Sequence, residues 1–442
     1  MSSFYIPCIP ILLIFFVNLA KQRRLFCVSN IALLYISAVF LGAPLLYLNP
    51  RSGLPFSNIN ASIYLAFAYS ILALPLLFMK ERDQKDLVHP DEQFLERIFT
   101  ILIIVSLPAA LYYSSGLKNI LSFLQSTLTR EEVREDISRQ IMGNPLEMYS
   151  AMIMTISKIN LFLGAYALIF RKGKKWQRYC LLLCGMPAIL RSMTWLARSV
   201  LFDSIVFILL ILIAFSAFVE PAFRKQIKKI LLMSFSILIA PMLLLTYARF
   251  GEESLFQSFA YFCEGPYFFS THYTVFCEIQ SIPLFNGSYL TSFFSRIYHI
   301  LFGGLWIEYD PNWKMEYFTE FYYLNFSYPG EFSTLIGNLL QDWTQGVVMT
   351  IIVCISIFFC FLFAGNKNNR LSTIYLYVLF AHFVVMGTIG FFYSGTPGNL
   401  EIVFLFAGYL VLKHAPKQTE QNVIAVQEQN EPIEDSCCEK AM

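Results

Sequence analysis

Long uninterrupted runs of apolar residues recur along most of this chain, and they constrain its fold more than any other feature. A helix that crosses a bilayer needs about 20 mostly apolar residues. Runs of this kind lie near residues 3–20, 27–48, 60–79, 98–113, 148–170, 179–193, 200–219, 230–247, 344–364, 372–392 and 399–413. The apolar stretch from 179 to 219 is divided because Arg191 and Arg198 stand in its middle. The expectation is an all-α, polytopic membrane protein with about 11 transmembrane helices. An outer-membrane barrel would show short segments of alternating polarity instead. Charged residues make up 14% of the 442, against roughly 25% in a soluble domain. A net charge of +2 gives no basic excess for nucleic acid. An aromatic content of 17% argues against disorder of the whole chain.

The first run is preceded by MSSFYIPCIP, which lacks Lys and Arg, and followed by Lys21, Arg23 and Arg24. That is the reverse of a signal peptide and reads as a helix with its N-terminus outside. In the resulting topology, segments 21–26, 80–97, 171–178, 220–229, 365–371 and 413–442 are internal and hold 21 Lys and Arg. External segments hold 10, although one of them is about 96 residues long. The asymmetry follows the positive-inside rule. Residues 1–413 form the membrane domain, with external loops 114–147 and 248–343. Residues 414–442, rich in Gln, Glu and Asn, read as a disordered cytoplasmic tail. The Cys437–Cys438 pair in that tail has no further Cys or His nearby, so it is weak evidence for a metal or redox site. Cys263 and Cys277 share the long external loop and could pair on an oxidising side, although their spacing does not decide it.

The two external loops carry most of the unusual chemistry. The first contains TLTREEVREDISRQ, in which Thr129 and Glu132 fit a capping box. Arg130 and Arg134 then share a helix face. Their charges are answered either by local Glu partners or by a bound anion, for which an arginine's fork of donors is suited. The second loop, 248–343, is dense in aromatic residues. Those rings suit short interfacial helices anchored at the membrane surface, and flat rings also pack against sugar faces. Arg191, Arg198 and Arg249 recur at membrane boundaries, with Asp203 placed to neutralise Arg198. Lys158 lies midway along an apolar run, so it must face the bundle or a cavity rather than lipid. His272 and His299 of the long loop are candidate bases, or simply interfacial polar residues. No HExxH, Walker, GxSxG or dinucleotide-binding motif occurs.

Taken together, the chain resembles the Wzy-type polymerases of O-antigen and capsular repeat units. Arg191 to Leu212, RSMTWLARSVLFDSIVFILLIL, resembles that family's Arg turn leading into an apolar helix. Arg249 to Phe268, RFGEESLFQSFAYFCEGPYF, resembles its Arg after a span, followed by an aromatic stretch with Gly-Pro. Thr334 to Gly346, TLIGNLLQDWTQG, resembles a late acidic-aromatic-Gly segment that re-enters the membrane, with Trp343-Thr344-Gln345-Gly346 in place of the usual aromatic-Gly.

The resemblance implies a metal-independent, GT-C-like glycosyltransferase in the bacterial inner membrane that uses no cofactor. Its N-terminus would be periplasmic and its C-terminus cytoplasmic. It would move a growing glycan from one undecaprenyl diphosphate onto the next lipid-linked oligosaccharide, with a chain-length regulator as a candidate partner. Arg191, Arg198 and Arg249 are then expected at the diphosphate, and Arg130, Arg134 and Lys158 at diphosphate or glycan. The base is expected among His272, His299, Glu264 and Asp342. An O-antigen ligase shares this architecture, and His299 keeps that alternative open. A lipid-linked oligosaccharide flippase is a further alternative, although no internal repeat is evident.

Overall fold

The structure is a computed structural model that describes residues 5–48, 58–81, 87–115, 144–194, 198–219, 259, 262–270, 273, 334–365, 370–390 and 395–416. Among these residues the fold is helical, and the extended pairing is confined to one isolated bridge between Val88 and Arg370. The helices are α1 (Cys8–Gln22), α2 (Val28–Gly42), α3 (Ile59–Ala73), α4 (Glu92–Ser115), α5 (Pro145–Met154), α6 (Ser157–Ile169) and α7 (Lys175–Cys184). They continue as α8 (Pro187–Thr194), α9 (Arg198–Ser216), α10 (Leu335–Asp342), α11 (Gln345–Gly365), α12 (Leu371–Met386) and α13 (Gly395–His414). Short 3-10 turns, Ala43–Leu48 and Leu74–Phe78, extend α2 and α3.

Among the described residues, 4 single helices are long and apolar enough to cross a membrane: α2 and α3 with their extensions, α4 and α11. The bent pair α5 and α6 qualifies as one further span. The expected run at 148–170 is therefore not one straight helix but two, meeting at 57° around Thr155 and Ile156. The run at 179–193 is also divided. α7 ends at Cys184, and Pro187 opens α8, as a residue that lacks an N–H and has a helical φ favours. The expected span at 230–247 lies outside the described residues.

α12 is the centre of the bundle. Nearly all of its side chains are buried, and α2, α9 and α13 pack on it. α1 joins α2 and α3, α11 covers α3, and α4 gathers α5, α7 and α8. α9 also meets α6 and α8. The outer surface is apolar: Phe16 of α1, Ile104 of α4 and Phe361 of α11 are well exposed. Polar residues sit inside instead, including Asn18, Asn30, Asn160 and His382. An apolar exterior of that extent marks a contact with lipid or a partner in a chain of this size, and with the span-length helices it defines a membrane protein.

The two ends of the bundle differ chemically. At one end Lys21 bonds the Leu77 carbonyl, Gln22 Nε2 donates to Met79 O at 2.6 Å, and Lys80 Nζ donates to Ala364 O at 3.3 Å. Asp91 N donates to Pro416 O at 2.8 Å at this same end. The N-terminus of α2 is closed there by a carboxylate from outside its own helix. Glu81 accepts from Val28 N at 2.8 Å, Ser29 N at 3.1 Å and Ser29 Oγ at 2.5 Å. Segments 21–22, 80–81 and 413–416 thus gather at one end, and Gln177 of α7 joins the first turns of α4 through Glu96 O.

At the other end Asn58 N bonds Ser270 O, and Tyr64 OH and Tyr273 OH both engage Gln345. From this side α10 enters the bundle. Its capping residue Thr334 is fully buried and accepts from Gly337 N. Leu335 N donates to Gly387 O at 2.7 Å, beyond the end of α12, and Tyr69 of α3 bonds the same carbonyl. At 8 residues α10 rises only about 12 Å, so it is a short inserted helix rather than a span.

Candidate functional site

Two groups of polar residues converge in the bundle. The first stands where α4 ends and α5 begins. Asn144 caps α5 by accepting from Leu146 N at 3.0 Å, and Pro145 occupies the first helical position, so the helix starts sharply. That start fixes Glu147 in the first turn. Its carboxylate is buried and accepts from Tyr113 OH of α4 at 3.0 Å and from Arg191 Nε of α8 at 3.2 Å. Arg191 contacts Glu147 through Nε and keeps about a third of its side chain exposed. Glu147 thus fixes the position of a guanidinium group, whose planar set of donors matches phosphate oxygens. Asn144 Nδ2 also reaches Tyr112 OH at 3.4 Å, so polar groups from three helices line this corner.

The second group is deeper. Lys158 of α6 lies 2.9 Å from Asp203 Oδ2 of α9 and 2.8 Å from Glu401 Oε1 of α13. His382 Nε2 of α12 lies 3.1 Å from Asp203 Oδ1. Phe207 closes one side, with its ring edge-on to His382 and 5.9 Å from the Lys158 ammonium. The bend between α5 and α6 turns Lys158 inward, and its burial agrees with its place midway along an apolar run. Asp203, expected to neutralise Arg198, faces Lys158 and His382, because residue 203 lies on the side of α9 that packs against α6 and α12, and the Arg198 side chain lies outside the described residues.

The remaining sequence candidates are placed unevenly. Glu264 lies in the helical segment 262–270, which packs against the turn after α12. The backbones of Arg198 and Asp342 open α9 and close α10, respectively. Arg130, Arg134, Arg249, His272 and His299 lie outside the described residues, as does Cys277, the expected partner of Cys263. The described residues hold no group of three or more metal-ligating side chains in position for an ion.

Sequence reading missed Glu147, Tyr113, Asp203's true partners, His382 and Glu401. A signal existed for two of them. His382 and Glu401 are lone ionisable residues in apolar runs, and the argument that flagged Lys158 applies equally to them. Glu147 carried no such signal, since it stands beside a polar loop.

The fold and its two polar centres define a helical membrane protein with ionisable groups held inside the bundle. No protein-family model matches the chain, and no curated protein or solved structure matches it either.

Proposed function

We propose that the chain is a polymerase of undecaprenyl-diphosphate-linked oligosaccharide repeat units, transferring the growing glycan onto the next lipid-linked unit at the outer face of a bacterial inner membrane. The observation that carries this reading is Arg191, about one-third exposed where α4, α5 and α8 meet and held through its Nε by buried Glu147. Fixed donors of this kind stabilise the charge that develops on a departing diphosphate. The position is the one that the Arg turn of the resemblance assigns to the lipid diphosphate. Arg130 and Arg134 lie in the sequence between α4 and α5, outside the described residues, and the backbone of Arg198 opens the next helix. Lys158 is already answered by Asp203 and Glu401, which leaves the diphosphate to the arginines. The acceptor hydroxyl requires a base, for which the long external loop offers His272, His299 and Glu264, with Asp342 near its end.

The test uses purified protein in lipid, supplied with lipid-linked repeat units in excess EDTA. Multi-repeat products are expected without added metal. Arg191→Ala should slow their formation by about 100-fold or more, the usual loss when one charge-stabilising donor is removed. Arg191→Lys should recover only part, because it lacks the fork. Wild-type rates in Arg191→Ala would refute the site. Movement of intact units across the bilayer with no new glycosidic bond would replace the polymerase by a flippase, and transfer of finished chains to a lipid A core would replace it by a ligase.

A further inference from the structure

The reaction proposed above makes no use of the deep ionic cluster, yet hydrogen-bond rules fix most of its proton inventory. Lys158 Nζ touches two carboxylates, at 2.9 Å and 2.8 Å, and is an ammonium. His382 Nε2 lies 3.1 Å from Asp203 Oδ1 and 3.2 Å from the Asp203 backbone carbonyl. A carbonyl oxygen only accepts, so Nε2 carries a hydrogen and donates. Asp203 therefore receives donors from two sides and is the anion. Lys158 and Asp203 cancel, which leaves Glu401 and His382.

With Glu401 ionised and His382 neutral, the cluster has a net charge of about −1 by this count. With one more proton, on either the carboxylate or the imidazole, it is neutral. Helix ends do not change the count. Lys158 stands in the first turn of α6 and His382 lies inside α12 ahead of its last turn, and helix ends carry only partial charges. An uncompensated charge in a low-dielectric interior costs several kcal/mol even after relaxation, at about the scale of a domain's whole stability. The protonated, neutral cluster is therefore the form that the closed bundle favours.

We propose that Lys158, Asp203, His382 and Glu401 form an intramembrane binding site for one exchangeable proton, shared between Glu401 and His382. Glu401 is the point of access. Its side chain is 19% exposed, against 10% for Asp203, 8% for Lys158 and none for His382. Loss of the proton leaves a negative charge on α13, and moving Glu401 toward water relieves it. α13 also lines an apolar cavity of about 330 Å³ through Ile402, Leu405, Phe406 and Tyr409, opposite α10, α11 and α12. Proton occupancy thus acts on the helix that shapes this cavity.

The ionisable side chains of the elements around His382 are few. α2 brings Tyr35. α6 brings Lys158 and Tyr166. α9 brings Arg198 and Asp203. α13 brings Glu401, Tyr409, Lys413 and His414, and α12 itself adds Tyr375 and Tyr377. Asp203 and Glu401 are the only carboxylates on these helices, so substituting Glu401 isolates the surplus charge.

The test is thermal unfolding of the full chain in lipid nanodiscs across pH, for wild type, Glu401→Gln and His382→Gln. Glu401→Gln leaves Lys158 and Asp203 balanced with a neutral imidazole, so the one-proton step in the stability profile should vanish. His382→Gln leaves the surplus carboxylate, so a one-proton step should persist at a displaced pH. A Glu401→Gln profile that superimposes on wild type would overturn the site. Should that variant not fold, infrared difference spectra of the wild type with isotope-labelled Glu and, separately, labelled His give the answer. A buried protonated-carboxyl band or an imidazolium ring mode that appears as the pH falls supports the site, and the absence of both overturns it.

Discussion

Glu81→Ala removes a cap that α2 takes from a residue 53 positions away in sequence. The loss can be worked out from the contacts. Val28 N, Ser29 N and Ser29 Oγ all donate to this carboxylate, and all three lose their acceptor. A buried donor left unsatisfied costs about 1–3 kcal/mol. Taking the lower figure for each gives about 3 kcal/mol in all. The lost attraction between a negative charge and the helix N-terminus adds ~0.5 kcal/mol. Glu81→Gln retains a carbonyl acceptor but turns an amide N–H₂ toward the donors, and should cost about half as much.

Cys27 beside the cap supplies a second readout. Burial, aided by the Glu81 charge, pushes its thiol up to about 12 and keeps it unreactive. Peptide-resolved maleimide labelling should therefore find Cys27 modified faster in Glu81→Ala, together with a lower unfolding temperature in detergent. An unchanged labelling rate and unfolding temperature would refute the claim that Glu81 holds α2.

Other tests read different parts of the bundle. His89 bonds Tyr166 OH through Nδ1 at 2.9 Å, and burial, with Lys172 nearby, lowers its pKa from 6.5 to about 4. The folded state thus holds it neutral where the unfolded chain would protonate it. Its contribution should be complete above about pH 6.5 and fade as the pH falls toward 4, and His89→Gln should flatten that acid limb of the unfolding profile. Gly265→Ala places a Cβ 2.3 Å from the Thr388 carbonyl, backbone that cannot give way cheaply, and should cost about 1–3 kcal/mol in denaturation. Gly346→Ala meets nothing within 4 Å and should leave the unfolding temperature unchanged or slightly higher. A reporter after Lys417 should be cytoplasmic and one near Asn312 external; both on one side would overturn the orientation drawn from the basic segments.

What could be read from sequence was what depends on single residues and their near neighbours. Runs of apolar side chains gave α2, α3, α4 and α11 to within a turn, except that α4 starts at Glu92, earlier than the run at 98 suggests. Lys158 was legible as an inward-facing charge because one ammonium among apolar residues has nowhere else to go. Its partners were not, since Asp203 lies 45 residues on and Glu401 lies beyond the longest loop. Sequence proximity pointed Asp203 at Arg198, whereas the packing of α9 on α6 and α12 turns it to Lys158 and His382. The bend at Thr155 and Ile156 was equally hidden, because neither residue is a helix breaker. Arg191 was legible as a boundary charge, but its hold through Glu147 depends on where α5 begins.

The short helix α10 also has a consequence for how the chain is made. Its 8 residues cannot enter a bilayer as a spanning segment during synthesis. Its buried start is anchored to the Gly387 carbonyl, and residue 387 emerges from the ribosome some 50 residues after Leu335. Tyr69, made long before, waits on the same carbonyl. α10 must therefore remain outside until α11 and α12 have been inserted, and then fold in against a partner translated after it. The end of the bundle that holds α10 closes last, so a chain halted before α12 has no completed seat for this helix.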